Sequence, residues 1–172
     1  MKTKGLLYLA HLAAAASMAA ASTTANADWY LDSMAGVSAG EPQDVVISLK
    51  VNPLTNPETA CLSITLARAL KGNGVTNVTL FPTLDGVTLG DAKVVDNKKF
   101  RCSTPFPEPQ PVSLADNLER FLDGNMDNMV VCPICWGERY GEEQLPDYGF
   151  LPPPGNPAVG KLLLDAEKII DF

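Results

Sequence analysis

Two cysteines lie three positions apart in the run Cys132-Pro133-Ile134-Cys135. The residues before Cys132 are apolar and predict a strand, whereas proline is a common first residue of a helix. A thiol at such a junction lies near unpaired backbone N–H groups and the positive end of the helix dipole, which lower a cysteine pKa. The spacing therefore predicts a reactive thiol at Cys132, with the thiol of Cys135 within its reach.

The pair has four interpretations. A sulfur-carrying or redox pair would use one thiolate as the nucleophile and the second thiol to resolve the product. A structural disulfide is natural in an oxidising compartment, and a redox pair also rests in that form. A soft-metal site for Cu(I) or Zn would need further ligands from Cys61 or Cys102. Inert burial is the fourth interpretation, since a single CxxC motif is a moderate signal.

Three other residues are candidates for a role beside the pair. Arg139 follows Cys132 by about two helical turns and is a candidate catalytic residue, because it could bring positive charge to a thiolate. Cys61 falls in a predicted helix and is expected to be a small core residue. Cys102 falls in a predicted loop, where it is either a resolving thiol for Cys132 or a disulfide partner of Cys61. The sequence leaves both roles open.

The spacing of apolar residues predicts the elements that position the pair. Strands are predicted over 45–51, 75–81, 128–132 and 168–172, and helices over 58–71, 113–124, 133–143 and 158–166, with a short helix near 87–93. The first helix places Leu62, Leu66 and Leu70 on one apolar face. This alternation predicts an α/β sandwich with a mostly parallel sheet. Ligands collect at the carboxyl ends of strands in such sheets, and Cys132 would lie at one of these ends.

Residues 1–27 have the three parts of a secretory signal peptide. Lys2 and Lys4 form a basic start, 6–21 is an alanine-rich apolar run, and Ala25-Asn26-Ala27 is a small-x-small cleavage site. The apolar run is short and alanine-rich for a retained transmembrane anchor. We therefore expect cleavage after Ala27, a periplasmic location and no membrane attachment after cleavage. A flexible leader would follow over 28–43, and a single domain over 44–172.

Removal of the signal peptide would change the chemistry open to the chain. The only histidine, His11, lies in the signal, so the mature protein would have none. This excludes Ser-His-Asp catalysis, Cys-His catalysis and histidine-ligated metals. The signal also contains two lysines and no acidic residue, so its loss takes the formal net charge from −7 to −9. A chain this acidic lacks the basic patch that binds phosphates, and no nucleic-acid partner is expected.

The chain resembles the DsrE/DsrF/TusD-like family of sulfur-handling proteins over 45–172. The resemblance is carried by the strand before Asn56-Pro57, by Val78-Thr79-Leu80-Phe81 with Asp85-Gly86-Val87, by Val131-Cys132-Pro133-Ile134-Cys135 with Arg139, and by the closing segment 165–172. It implies a three-layer αβα fold with a mostly parallel sheet, often assembled as a trimer or hexamer. It also implies that the cysteine at position 132 takes up a persulfide and passes it on, with Cys135 at the place of the second cysteine.

The sequence thus predicts a periplasmic sulfur-trafficking protein. Cys132 would attack a sulfane-sulfur donor, such as a polysulfide or a thiosulfate derivative, and Cys135 would release or resolve the sulfur through a disulfide. Thiol exchange needs no organic cofactor, so none is expected, and the partners would be a sulfur donor and a sulfur acceptor. Two alternatives stay open. One is a soft-metal (Cu(I) or Zn) binding module at Cys132 and Cys135, and the other is a non-catalytic subunit of an oligomeric assembly.

Overall fold

The computed structural model describes residues 44–97, 99–153 and 155–172. The predicted signal peptide (1–27), its histidine and the predicted leader (28–43) lie outside the described residues, so these predictions stay predictions. Within the described part of the chain, none of the helices has both the length and the apolar character needed to cross a membrane.

A parallel three-stranded sheet lies at the centre of the domain. Its middle strand, β1 (Asp44–Leu49), pairs with β2 (Asn77–Pro82) on one side and with the last strand of the chain, Lys168–Asp171, on the other. Because all three strands are parallel, their carboxyl ends meet at one edge of the sheet. Two further strands, β3 (Arg101–Cys102) and β4 (Val112–Ser113), form a small antiparallel sheet, and the last strand is therefore β5.

Helices flank the parallel sheet. They are α1 (Pro57–Gly72), α2 (Ala92–Val95), α3 (Leu114–Leu122), α4 (Pro133–Tyr140) and α5 (Ala158–Asp165), with 3₁₀ helices at Leu84–Gly90 and Met126–Asn128. Proline begins both α1 and α4, since its fixed φ suits the first helical turn and its missing N–H has no partner there. The α/β fold with a mostly parallel sheet is confirmed.

The strand predicted over 128–132 is the element that differs most from expectation. A 3₁₀ helix occupies its first residue, and two isolated parallel bridges replace the rest, Leu80 with Met129 and Val130 with Phe150. The backbone N–H of Cys132 donates to the carbonyl of Pro82 at 3.0 Å. The segment therefore still runs beside β2 and brings Cys132 to the carboxyl edge of the sheet.

The two remaining cysteines form a disulfide. Cys61 on α1 and Cys102 on β3 are joined, with their Cα atoms 5.3 Å apart. Both lie in the core, with exposed fractions of 6 % and 0 %. Of the two roles that the sequence left open for Cys102, the structure shows the bond to Cys61. Leu62, predicted on the buried face of α1, is 43 % exposed instead, because the helix turns Cys61 toward β3.

A buried ion-pair network holds the loop between β3 and β4. The Glu108 carboxylate, 6 % exposed, accepts two hydrogen bonds from Arg68 at 3.0 and 2.9 Å, and Arg120 lies 2.9 Å away. The Thr104 hydroxyl donates to the same carboxylate at 2.6 Å. Hydrogen bonds from Arg68 outweigh the opposing effect of burial and lower the pKa of Glu108 to about 2. This network fastens the loop to α1 and α3.

Candidate dithiol site

Cys132 and Cys135 lie at the start of α4 as free thiols. Cys132 is the residue before the first turn, and Cys135 lies in that turn. The Cys132 thiol donates to the Cys135 sulfur at an Sγ–Sγ distance of 3.0 Å. The structure therefore brings together the two thiols that the sequence paired. At this separation, one sulfur can react with a group carried by the other after a small side-chain rotation.

The loop after β2 supplies the polar contacts of the pair. The Thr83 hydroxyl lies 3.5 Å from the Cys135 sulfur. The next residue, Leu84, has a positive φ of 50°, and its backbone N–H points to the same sulfur. Gly86 lets this loop pass over β1, because a Cβ at that position would collide with the carbonyl of Leu49. Thr83 and Leu84 were not among the predicted site residues, although their place at the carboxyl end of β2 is the signal that could have found them.

The two thiols differ in acidity. Burial raises the pKa of Cys132, and the hydrogen bond to Cys135 raises it further. Burial also raises the pKa of Cys135, but hydrogen bonds from Cys132, Thr83 and the Leu84 backbone outweigh it, so the pKa of Cys135 is lowered. In the reduced pair the Cys135 thiol is therefore the more acidic of the two, and it is the first to lose its proton as the pH rises. This is the reverse of the acidity expected from the sequence.

The pair lies between two cavities. The first, here called the charged cavity, has a volume of about 630 Å³ and is lined by Leu84, Asp85, Cys135, Glu138 and Arg139. The second, here called the apolar groove, has a volume of about 740 Å³ and is lined by Cys132 together with mainly apolar residues, among them Ile134, Trp136, Leu145, Leu151 and Pro152. Each cysteine therefore borders a different space.

Arg139 lies in the charged cavity, but its charge is already paired. Its guanidinium donates to the carboxylate of Asp85, which stands in the same cavity. Glu138 adds a second carboxylate to that wall. The sequence expected Arg139 to bring positive charge to the reactive thiolate. The structure places it beside Cys135 rather than Cys132, in a cavity where carboxylates outnumber it.

Trp136 fixes α4 to the rest of the domain. Its side chain is fully buried, its Nε1–H donates to the carbonyl of Gln144 at 2.7 Å, and its ring stacks on Tyr140 with centroids 4.2 Å apart. The ring also lies against Gly90, where a Cβ would come within 2.8 Å of it. The position of the dithiol thus depends on a glycine in the 3₁₀ helix after β2.

The ligands expected for a soft metal are not all at the site. Cys61 and Cys102 are consumed by their disulfide, so neither can join Cys132 and Cys135 on a metal ion. Among the described residues, no group of three or more histidine, cysteine or acidic side chains is arranged to hold a metal ion.

Comparison with known proteins bears on the fold. No family model matches the sequence, and no curated protein matches it either. Among solved structures, the chain is similar to the ychN protein from E. coli, with a TM-score of 0.53 and 22 % sequence identity over 76 % of this chain and 99 % of the ychN chain. This likeness supports the α/β architecture and is consistent with a DsrE-like fold. At this level of identity it shows the fold alone.

Proposed function

We propose that this protein is a periplasmic sulfur carrier that holds sulfane sulfur as a persulfide on the Cys132–Cys135 pair. The observation that carries the proposal is two free thiols 3.0 Å apart at the carboxyl edge of the sheet. A thiolate and a neighbouring thiol are the groups that sulfur exchange requires, and no cofactor enters the reaction. The DsrE-like fold and the resemblance of the sequence to sulfur-handling proteins support the same chemistry.

The exchange is balanced without an oxidant. A thiolate of the pair attacks the outer sulfur of a donor persulfide R–S–SH, the donor S–S bond breaks, and R–S⁻ leaves with the electron pair. An acceptor thiolate later attacks the same outer sulfur, takes it, and restores the cysteine thiolate. Where the second cysteine attacks the inner sulfur instead, hydrosulfide leaves and a Cys132–Cys135 disulfide forms. That branch needs an external dithiol to reset the pair.

One feature of the described residues supports the proposed periplasmic location. A buried disulfide such as Cys61–Cys102 is characteristic of proteins that fold outside the reducing cytoplasm. This agrees with the predicted signal peptide. Assembly into a homo-oligomer is part of the proposal, and exposed apolar side chains near the sheet edge support it: Leu163 and Leu164 on α5, and Ile169 on the edge strand β5.

Sulfur loading tests the proposal directly. The reduced protein, with Cys61–Cys102 intact, is exposed to inorganic polysulfide and its intact mass is measured before and after treatment with reductant. We expect a reversible gain of one sulfur atom in the wild type and none in the double variant Cys132→Ser/Cys135→Ser. A reduced, folded wild-type protein that gains no sulfur would refute the proposal and favour the assembly-subunit alternative.

Arg139 offers a second test, because Asp85 holds its charge. Asp85→Asn keeps the shape of the side chain and releases the guanidinium, so we expect an anionic donor to load about 2- to 5-fold faster. Arg139→Gln should slow the same reaction. Loading rates with polysulfide at low ionic strength measure both effects, and salt should reduce them. The neutral reagent iodoacetamide is the control: an equal acceleration with it would show a more reactive thiol rather than attraction of the anionic donor.

A further inference from the structure

The two cysteines border different cavities and differ in their exposure to solvent. Cys135 is partly exposed and borders the charged cavity, whereas Cys132 is 9 % exposed and borders the apolar groove. The Cys132 backbone is held on both sides, since its N–H donates to Pro82 at 3.0 Å and its carbonyl accepts from Trp136 at 2.9 Å. Cys132 is therefore the fixed, shielded member of the pair.

We propose that Cys135 collects the sulfur from a donor in the charged cavity and that Cys132 stores it beside the apolar groove. This inference rests on the proposed function and assigns a direction to it. The resemblance of the sequence to sulfur carriers implies the opposite order, with Cys132 making the first attack.

The contacts of Cys135 suit a collecting thiolate. The Thr83 hydroxyl and the Leu84 N–H both face its sulfur, and the Cys132 thiol donates to it from the other side. Hydrogen bonds to the charged form of a thiol favour that form, and the thiolate is the nucleophile in exchange reactions. Cys135 is partly exposed and lines the charged cavity, so a donor would approach its sulfur from there.

The first step places sulfur on Cys135. Its thiolate attacks the outer sulfur of the donor R–S–SH, a Cys135 S–S bond forms, the donor S–S bond breaks, and R–S⁻ leaves into the charged cavity. The proton of the transferred group is then lost, since a persulfide is more acidic than a thiol. The product is a Cys135 persulfide anion next to the protonated thiol of Cys132, whose sulfur lies 3.0 Å from the Cys135 Sγ in the structure. Side-chain rotation would then bring the outer sulfur to Cys132.

The second step moves the outer sulfur to Cys132. The Cys132 proton passes to the persulfide anion, and the resulting Cys132 thiolate attacks the outer sulfur. A Cys132 S–S bond forms, the Cys135 S–S bond breaks, and the Cys135 thiolate is restored with its hydrogen bonds to Thr83 and Leu84. Atoms and charge balance, and nothing is oxidised or reduced. The stored group is then shielded from water by side chains of the apolar groove such as Leu151 and Pro152.

Competitive alkylation tests the order of attack without any sulfur donor. Reduced wild-type protein is pulsed with a substoichiometric amount of iodoacetamide, and the peptide 121–139 is fragmented to locate the label. We expect Cys135 to carry about 10-fold more label than Cys132. Thr83→Val should lower the Cys135 rate several-fold and move its pH profile upward, because the hydroxyl no longer stabilises the thiolate. Equal labelling, or more label on Cys132, would overturn the assignment.

Loading kinetics test the relay itself. With inorganic polysulfide, Cys132→Ser is expected to load and to keep the sulfur on Cys135, whereas Cys135→Ser should load about 10-fold more slowly than the wild type. In the wild type the sulfur should be found first on Cys135 and later on Cys132. Wild-type loading by Cys135→Ser would overturn the relay alone. Absence of loading in the wild type would overturn the proposed function, and the relay with it.

Discussion

Replacing Cys61 and Cys102 together by alanine is expected to lower the free energy of unfolding by about 4 kcal/mol. The two cysteines are 41 positions apart, so their disulfide closes a long loop in the unfolded chain and removes much of its conformational entropy. Urea unfolding of the wild type and the variant, under conditions that keep the disulfide oxidised, measures the difference.

The second cysteine pair provides the matched control for this prediction. Cys132→Ala/Cys135→Ala removes the same number of thiols, but these are free and one of them is partly exposed. We expect this variant to lose about 1 kcal/mol or less, from the small volume removed at Cys132. If both double variants unfolded at the same urea concentration, the disulfide would contribute no measurable stability.

Glu108→Gln is expected to lower the free energy of unfolding by about 3 kcal/mol at neutral pH. The substitution removes the charge that Arg68 and Arg120 share, and the Arg68 side chain is only 12 % exposed. A buried charge that loses its partner keeps its desolvation cost, which is the main reason for the size of the effect.

The pH dependence of the same effect has a defined sign. The pKa of Glu108 is about 2 in the folded protein, against an ordinary value of 4.5. The stabilisation from its carboxylate is thus fully present above pH 4.5 and is lost as the pH falls toward 2. The difference between wild type and Glu108→Gln should therefore shrink over this window, as measured by urea unfolding at each pH.

An exposed ion pair provides the control for the predicted loss of stability in Glu108→Gln. Asp171 pairs with Lys50 at 2.9 Å, but the two side chains are 57 % and 43 % exposed. Asp171→Asn should therefore change the stability by less than about 1 kcal/mol. Losses of equal size in the two variants would show that burial of the Glu108 network has no special effect.

Local sequence patterns were sufficient for most of the fold. Runs of β-branched residues predict β1 and β2, and Asn56-Pro57 predicts the start of α1, because each signal depends on neighbouring residues only. The prediction of the buried face of α1 was wrong at Leu62. The orientation of that turn depends on the disulfide between Cys61 and a residue 41 positions away. The Glu108 network could not be predicted from neighbouring residues for the same reason, because its contact with Arg68 joins residues 40 positions apart.

The cysteines and the arginine of the candidate site could be predicted from the sequence. The thiol pKa values and the pairing of the arginine charge could not. Motif spacing places Cys135 near Cys132, and helical spacing places Arg139 about two turns after Cys132. The residues that set the charge and acidity, Thr83 and Asp85, come from a loop about 50 positions earlier, so no local pattern connects them to the pair. The helix dipole suggested a low pKa at Cys132, but α4 has only 8 residues and burial of that thiol outweighs it.

The contact between Gly90 and Trp136 links two distant parts of the sequence. No side chain larger than hydrogen fits at position 90 while the indole is in place, so the two positions cannot drift independently during evolution. A lineage that replaced the glycine would first have to accept a smaller ring at position 136. Covariation of positions 90 and 136 in an alignment would therefore identify relatives that keep this packing of α4, including relatives that have lost the two cysteines.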